Sequence, residues 1–367
     1  MHLALAQRLC AMSSTMINGK PRLCVVGPLV GCNRGHVTSQ GEILAAHFRA
    51  AGYRVTATSG AASRYVRLFQ TVGTLVRSRR LIDTVLLQVY GGRSFVVEDV
   101  ASTLARRFGH RIVMHLHGGA LPEFMARFPR WTRRVLARAD ALVAPSPFLA
   151  RAVARHGWSA STIPNLIDLS AYSFRRRVPV SPRLFWMRSF HSIYNPLMAI
   201  RVLARVLAIL PEATLVMGGS DKGMEGRVRE EAVRLGVQGA VRFVGFLDLA
   251  GKQREGAAGD VFLSTNRIDN APVAVIEAWA MGLPVVSTDV GGLRDLVCDG
   301  ETGLLVPDDD VEAMSLTIVR LVRDPQLAGR LAVNGRREAE LCSWAQVRPR
   351  WEHLLNQLVA APVGVNH

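Results

Sequence analysis

The sequence has few cysteines and no apolar run long enough to cross a membrane. Five cysteines are scattered over 367 residues, with no CxxC pair and no histidine at metal-ligand spacing. A zinc site does not fit this spacing, whereas a reduced cytoplasmic compartment does. No apolar stretch approaches the roughly 18 residues that a membrane-spanning helix needs. We therefore expect a cytoplasmic protein without a transmembrane segment.

The N-terminal segment 1–20 is similar to a signal peptide only in its first few residues. Gln7 and Arg8 cut the apolar stretch short, and no clear cleavage site follows. We expect a disordered or loosely packed leader that is not part of the fold. The remaining length suits two domains of about 100–200 residues each, and both can bury a core of their own.

Acidic residues are scarce in the first half of the chain. Residues 1–177 contain 25 Lys and Arg against 7 Asp and Glu, whereas residues 178–367 contain 20 against 22. The net charge of +16 therefore comes entirely from the first half. An anionic membrane surface is the partner that basic stretches such as RFPRWTRRVLAR suggest, since arginines alternate there with apolar residues. A solvated, arginine-rich surface is the alternative. We expect no nucleic-acid partner, because no known nucleic-acid-binding motif occurs.

Short strands rich in β-branched residues alternate with helical patterns, which indicates parallel sheets covered by helices. We predict an α/β fold with two Rossmann-like, doubly wound parallel-sheet domains that face each other across a cleft. The predicted parts are a first domain over 21–170, a linker over 171–182, a second domain over 183–342 and a last helix over 343–360. This last helix is expected at the domain junction or on the first domain. Helices of the first half are predicted at 37–51, 62–79, 94–108, 121–138 and 146–155.

One apolar helix of the second domain contains a single carboxylate. The stretch RIDNAPVAVIEAWAMGLPVVSTDVGG has one charged residue, Glu277, between Asp269 and Asp289. Asn270 is predicted to cap the helix, and Pro272 suits its first turn, where no N–H is needed. A partly desolvated carboxylate costs several kcal/mol unless a donor binds it. A ligand with paired hydroxyls is such a donor.

The spacing Asp269-x7-Glu277, followed by Gly282, Pro284 and a later Gly-Gly pair, resembles the E-x7-E region of retaining glycosyltransferases of family 4, also called group 1. The resemblance extends to GETGLLVPDDD, TIPNLIDLSAY, VRFVGF, HLHGG and GCNRGHVTSQG, and so covers roughly residues 22–360. It implies the GT-B fold, in which two Rossmann-like domains hold a nucleotide-sugar in the cleft. It also implies a reaction without metal or cofactor, because the nucleotide-sugar is a co-substrate.

The resemblance assigns roles in donor binding by position. Glu277 is expected to accept hydrogen bonds from the ribose hydroxyls. Asp269, where the family usually has Glu, is expected to face hydroxyls of the donor sugar. Backbone groups at the start of the helix are expected to contribute through Asn270, Ala271 and Pro272. The strand VRFVGF, which ends at Phe246, is expected to meet the base.

Arg188 matches the arginine that holds the donor diphosphate in this family. A lysine usually follows a few residues later, where this sequence has Tyr194 and Asn195. Arg188, the helix N-terminus and Lys222 are therefore expected to share the charge of the leaving diphosphate. This departure leaves an inactive or regulatory homologue open as an interpretation.

The first domain contributes its cleft loops. Gly31 and Gly35 allow close approach of the backbone, and their spacing differs from the G-x-G-x-x-G of nicotinamide-dependent enzymes. His117 precedes two glycines at the end of a strand, and the resemblance implies that it contacts the donor sugar near the reacting carbon. His115 is expected on the opposite side of that strand with a structural role. Arg34 and Glu123 are weaker candidates for the acceptor side.

The sequence therefore predicts a retaining hexosyltransferase. The donor is a nucleotide-sugar, and the acceptor is a saccharide or lipid-linked saccharide of bacterial surface polysaccharide or glycolipid synthesis. The protein is expected to lie in the cytoplasm, peripherally on the inner face of the membrane. Alternatives are a nucleotide-sugar epimerase or a phosphorylase of the same fold, and a non-catalytic membrane- or partner-binding homologue. A phosphorylase that uses pyridoxal phosphate is disfavoured because no lysine follows Lys252.

Overall fold

The computed structural model describes residues 19–31, 33, 38–61 and 63–360, so the first 18 residues of the predicted leader lie outside it. The strands within these residues are β1 (Leu23–Val26), β2 (Val55–Thr58), β3 (Thr84–Val89), β4 (Arg111–Leu116), β5 (Ala141–Ala144), β6 (Ser161–Thr162), β7 (Arg183–Met187), β8 (Thr214–Gly218), β9 (Val241–Gly245), β10 (Val261–Ser264), β11 (Val285–Thr288) and β12 (Leu304–Val306). All of them fall within segments that the sequence predicts as strands, namely RLCVVGPLV, YRVTATS, DTVLLQVY, RIVMHLH, DALVAPS, STIPN, RLFWM, ATLVMGG, VRFVGF, DVFLST, PVVSTD and GLLVP.

Helices connect these strands. They are α1 (Gln40–Ala50), α2 (Arg64–Arg77), α3 (Phe95–Arg107), α4 (Leu121–Arg127), α5 (Pro129–Leu136), α6 (Pro147–Ala154), α7 (Pro196–Leu207), α8 (Glu225–Arg234), α9 (Leu249–Ala258), α10 (Val273–Ala280), α11 (Leu293–Leu296), α12 (Val311–Arg323), α13 (Pro325–Leu341) and α14 (Trp344–Ala360). Among the described residues, none of the helices combines the length and the apolar character needed to span a bilayer.

The strands form two six-stranded parallel sheets, which confirms the predicted fold. The first sheet has the order β2-β1-β3-β4-β5-β6, and the second has the order β12-β11-β10-β7-β8-β9. The second order is that of a Rossmann sheet. Strands β3 and β10 are buried along their whole length, as expected where helices cover both faces of a parallel sheet.

One helix prediction is wrong in detail. The sequence analysis assigns 121–138 to a single helix, whereas the structure has α4 and α5 with a break at Phe128 (φ −126°, ψ 56°). The following residue, Pro129, has no N–H to continue the helical hydrogen bonds, and its ring disfavours a helical conformation at the residue before it. The break turns α5 away from α4.

The last helix of the chain packs on the first domain. Val347, Trp351 and Leu355 of α14 are buried in one cluster with Val25 and Val113 of the first sheet. Tyr53 also donates a hydrogen bond to Glu352 over 3.3 Å. The C-terminal helix therefore follows the second domain in the chain and packs on the first.

Candidate functional site

Two predicted site residues meet where the strand order of the second sheet reverses. In the second sheet, β7 and β10 are hydrogen-bonded neighbours. Arg188 directly follows β7, and Asp269 lies in the segment between β10 and α10. Parallel strands end at the same edge of a sheet, and the crevice beyond such a reversal is where doubly wound folds bind ligands. The fold therefore brings together residues that are 81 positions apart in the chain.

Glu277 lies in α10 with 6% of its surface exposed. Its Oε1 accepts hydrogen bonds from the hydroxyl of Tyr172 at 2.8 Å and from Nζ of Lys252 at 2.7 Å. Burial and the neighbouring carboxylate raise the pKa of Tyr172, so its phenol stays protonated and donates. Two protein groups thus compensate Oε1, while binding of the ribose hydroxyls to Glu277 stays a prediction. Within the described part of the chain, Oε2 has no donor.

Lys252 is a site residue that the sequence analysis missed. It lies in α9, which Asp248 caps by accepting a hydrogen bond from the N–H of Gly251 at 2.7 Å. Its side chain is largely buried and forms an ion pair with Glu277. The rarity of lysine is the signal in the sequence that could have indicated this residue, since Lys252 is one of only three lysines.

Arg188 and Asp269 form an ion pair at the centre of the crevice. Asp269 also accepts a hydrogen bond from Nδ2 of Asn266 at 2.8 Å, and the guanidinium of Arg188 lies 4.5 Å from the ring centre of Tyr194. Burial lowers the pKa of Arg188, and its Nε is buried without a hydrogen-bond partner in the described residues. The guanidinium is thus a partly buried cation with unused donor capacity.

The segment before α10 contacts the first domain. The helix starts after Pro272 (φ −66°, ψ 114°), so Asn270 does not cap it, and that prediction is wrong. The side-chain oxygen of Asn270 instead accepts a hydrogen bond from Ser146 of the first domain. The carbonyl of Ala271 accepts another from Nδ2 of Asn165 at 2.8 Å. These contacts place the start of α10 at the junction of the two domains.

Three other predicted donor-binding residues of the second domain, Lys222, Asn195 and Phe246, differ in how far they are buried. The side chain of Lys222 is exposed, and its backbone N–H donates to the carbonyl of Phe190 at 3.1 Å. Asn195 is buried in a left-handed conformation (φ 45°), and its amide donates to Asp309 at 2.8 Å. Phe246 is half-buried just after β9. The amide of Asn195 is therefore engaged in a structural contact.

His117 lies at the end of β4 and is buried. Its Nε2 forms a 2.7 Å hydrogen bond with Oε1 of Gln88, and its ring stacks on Tyr90 with centroids 4.8 Å apart. Burial, and next the proximity of His115, lower the pKa of His117 well below its usual value. The imidazole is therefore neutral near pH 7.

His115 is on the same side of β4 as His117, and the prediction of opposite sides is wrong. The two ring centroids are 4.2 Å apart, because residues i and i+2 of a strand point to the same face. The ring of His115 also packs against Trp351 of α14, at 5.3 Å between centroids. Its two nitrogens are buried without hydrogen-bond partners among the described residues.

The other predicted site residues of the first domain are Gly31, Arg34, Gly35 and Glu123. The N–H of Gly31 donates to Glu42 of α1 at 2.9 Å, and a Cβ at Gly31 would lie 2.6 Å from Cα of Thr38. Arg34 and Gly35 lie outside the described residues. Glu123 is exposed on α4.

Backbone from the two domains meets at the centre of the site. A Cβ added at Gly119 would lie 3.0 Å from the backbone of Asp269, so the loop after His117 touches the segment before α10. A larger residue at position 119 would therefore collide with the second domain. The resulting site contains two carboxylates, two cations and a neutral histidine.

Comparison with known families gives two matches. A model described as glycosyl transferases group 1 matches residues 181–324, and a model described as glycosyltransferase family 4 matches residues 93–171. A phosphatidyl-myo-inositol mannosyltransferase of Mycolicibacterium smegmatis is 26% identical over 197 residues. That match covers 52% of this chain and 50% of the relative, so the chain spans about half the length of the relative.

Solved structures share the fold. A sucrose-phosphate synthase from Thermosynechococcus elongatus superposes with a TM-score of 0.78 at 19% identity, over 94% of this chain and 100% of that one. HepE of Anabaena, in complex with UDP and glucose, superposes with a TM-score of 0.73 at 17% identity, over 92% of this chain and 100% of the other. At these identities the likeness concerns the fold alone.

Proposed function

Because the chain belongs to the group 1 glycosyltransferases of family 4, we propose that it transfers a hexosyl group from a nucleotide-diphosphate sugar to an acceptor hydroxyl, with retention of configuration. The observation that carries this proposal is the buried Glu277, whose Oε1 is compensated and whose Oε2 has no donor among the described residues. Paired ribose hydroxyls suit the free oxygen as donors.

The cations of the site suit the diphosphate of the donor. Arg188 is paired with Asp269 and Lys252 with Glu277, and the two cations are proposed to supply the positive charge that a leaving diphosphate needs. Preorganised charge of this type commonly lowers a barrier by several kcal/mol. We propose that Lys252 takes the place of the lysine that the sequence lacks after Arg188. With two fixed cations and the N-terminus of α10, the reaction is proposed to need no metal.

The sugar is proposed to lie between the domains. Asp269 faces the crevice from the second domain, and His117 faces it from the first. As a neutral imidazole whose Nε2–H donates to Oε1 of Gln88, His117 has Nδ1 left to accept a hydrogen bond from a sugar hydroxyl without adding charge. The leaving phosphate takes the proton of the acceptor hydroxyl, so no side-chain nucleophile is needed. The bond between the anomeric carbon and the phosphate oxygen breaks as the bond to the acceptor oxygen forms on the same face.

The acceptor is proposed to belong to glycolipid or surface-polysaccharide synthesis. A relative of the chain is named as a mannosyltransferase that acts on phosphatidyl-myo-inositol, which supports a lipid acceptor. The strongly basic first half supports a peripheral position on the inner face of an anionic membrane.

The experiment that tests this function starts from a panel of nucleotide-sugars. Thermal shift identifies which of them bind, and NMR of the product identifies the acceptor linkage and the anomeric configuration. Glu277→Gln should weaken binding of the selected donor by about ten- to a hundredfold, as expected for hydrogen bonds to a charged group. Glu312→Gln, a change of an exposed glutamate in the same domain, is the control.

The outcomes separate the alternatives. Unchanged donor affinity in Glu277→Gln would remove the basis of the proposal. A new nucleotide-sugar epimer without transfer to an acceptor would indicate an epimerase. Absence of binding by every nucleotide-sugar would indicate a non-catalytic homologue.

A further inference from the structure

A cavity of about 1010 Å³ opens on the first domain next to His117. Its lining comes from the start of α2, the segment after β3, the start of α3, and the segment from Gly118 to Trp131. None of the second-domain donor residues contributes to this lining. The cavity is therefore a volume separate from the proposed donor site, although it lies next to it.

The inner walls of this cavity are apolar. Leu68, Val97, Leu121, Phe124 and Trp131 contribute to them from four helices. Such walls suit a ligand with a large hydrocarbon part, and the volume is at the upper end of ordinary ligand cavities. Water in this space would have few hydrogen-bond partners, so displacing it by hydrocarbon is favourable.

Positive charge surrounds the opening. Arg64, Arg93 and Arg127 are exposed members of the lining, against one carboxylate, Glu123. The guanidinium of Arg64 lies 5.9 Å from the ring centre of Tyr65. That of Arg127 lies 5.4 Å from the ring centre of Phe128, so aromatic rings support both cations at the rim. This arrangement selects for an anion.

One residue, Tyr90, lies between the cavity and His117. Tyr90 contributes to the lining, and its ring stacks on His117. A ligand in the cavity is therefore separated by one ring from the histidine that is proposed to meet the donor sugar. This position is expected of an acceptor.

The rim continues onto an exposed apolar surface. Tyr65 is 70% exposed and Phe69, one helical turn later in α2, is 76% exposed. Two exposed aromatic side chains on one face of a helix, flanked by arginines, are typical of a surface that rests in a membrane interface. The mouth of the cavity thus lies where a lipid can enter.

We propose that this cavity binds a lipid acceptor that bears a phosphate. The hydrocarbon chain occupies the apolar interior, the phosphate lies among Arg64, Arg93 and Arg127, and the accepting hydroxyl reaches His117 past Tyr90. The inference rests on the proposed glycosyl transfer and specifies the class of its acceptor.

Direct binding of a simple amphiphile tests the cavity. Decyl phosphate, below its micellar concentration, is titrated into the full-length protein by calorimetry, alongside decyl glucoside and inorganic phosphate. Decyl phosphate should bind at least tenfold more tightly than either comparison ligand, since only it has both a chain and a charge. Equal binding of inorganic phosphate, or equal binding of the neutral glucoside, would overturn the proposal.

Two variants locate the binding. Val97→Trp fills the cavity from α3, and Arg93→Glu reverses one charge at its rim. Each should weaken decyl phosphate binding at least tenfold. The matched controls are Val76→Trp and Arg77→Glu, which change exposed positions of α2 outside the cavity and should stay within twofold of the parent. If the cavity variants bind decyl phosphate as well as the parent does, the amphiphile binds elsewhere and the proposal fails.

Donor binding separates this inference from the proposed function. All four variants should keep the nucleotide-sugar affinity of the parent, which also shows that they fold. A parent that binds decyl phosphate in the cavity but no nucleotide-sugar would contradict the proposed transfer and leave the cavity assignment standing. The opposite result would contradict the cavity assignment alone.

Discussion

Arg188 and Asp269 neutralise each other across the strand-order reversal of the second sheet. The sequence analysis assigns these two residues to different parts of the donor, the diphosphate and the sugar. In the structure they form one ion pair. A donor that binds between them must therefore break part of this ion pair in order to contact either residue. The charge of Arg188 is therefore only partly available before a ligand arrives.

Asp269→Asn should change the affinity for the nucleotide-sugar and the affinity for the nucleoside diphosphate differently. The change removes a charged acceptor from the sugar and releases the guanidinium of Arg188. We expect the affinity for the nucleotide-sugar to fall about ten- to a hundredfold, as for loss of a hydrogen bond to a charged group. The affinity for the corresponding nucleoside diphosphate should stay equal or rise. Calorimetric titration with both ligands measures the difference.

Two further variants serve as controls for Asp269→Asn: one is expected to change neither affinity, and the other is expected to lower both. Asp308→Asn alters an exposed aspartate of the same domain and should leave both affinities unchanged. Arg188→Met should weaken both ligands, because both contain the diphosphate. Equal losses for the two ligands in Asp269→Asn would show that Asp269 does not recognise the sugar.

Lys252→Met should weaken donor binding at least tenfold, whereas Lys222→Met should change it less than twofold. Lys252 is buried against Glu277 at 2.7 Å, and the side chain of Lys222 is exposed. Removing one partner of a buried ion pair leaves the other charge uncompensated. Titration of both variants with the same nucleotide-sugar measures the two effects. A larger loss of affinity in Lys222→Met than in Lys252→Met would assign the diphosphate to Lys222.

A double variant shows how Lys252 acts. If Lys252 only holds Glu277 in place, Lys252→Met combined with Glu277→Gln should bind the donor no more weakly than Glu277→Gln alone. If Lys252 contacts the diphosphate itself, the two losses of binding free energy should add, because each variant then removes a separate contact.

His117→Asn should lower kcat about ten- to a hundredfold with little change in donor affinity, because the hydrogen bond is proposed to strengthen as the sugar reacts. Burial lowers the pKa of His117 well below 6.5, so this imidazole stays neutral from pH 6 to 8. The profile of kcat/KM over that range should therefore show no ionisation of His117. His156→Asn, at an exposed histidine, is the control. A loss of donor affinity equal to the loss of kcat would assign His117 to ground-state binding.

The fold could be predicted from the sequence because its signals are local. Strands such as β3 and β10 are short and largely apolar, and their alternation with helices indicates parallel sheets. The break at Phe128 was missed because the apolar pattern continues through Pro129. The face of His115 was misassigned although the two-residue period of a strand determines it.

The site could be predicted only where a residue occurs within a recognisable motif. Glu277, Asp269 and Arg188 are such residues, and the structure brings them into one crevice. Lys252 and Tyr172 lie 25 and 105 positions from Glu277, and no local pattern links a lysine in α9 or a tyrosine after the first domain to a carboxylate in α10. Their contacts depend on how helices of different lengths pack, which spacing along the chain does not specify.

Glu98 should make the stability of the first domain depend on pH. Burial raises the pKa of Glu98 from 4.5 to about 8, and the N–H of Tyr90 donates to its Oε1 at 3.1 Å while Oε2 is buried without a partner in the described residues. Between pH 4.5 and 8 the folded protein holds a proton that the unfolded chain has released. The free energy of unfolding must therefore fall as pH rises through this window, by at most about 1.4 kcal/mol per pH unit.

Glu98→Gln removes this proton linkage and keeps an acceptor for the N–H of Tyr90. We expect the variant to be more stable than the parent at pH 8, by about 1–3 kcal/mol, and the two to converge toward pH 5. Urea denaturation at both pH values, followed by circular dichroism, measures the difference. Glu123→Gln, at an exposed glutamate of the same domain, should unfold like the parent at each pH. A constant difference between parent and Glu98→Gln would mean that Glu98 is ionised in the folded protein, with a cation or water compensating Oε2.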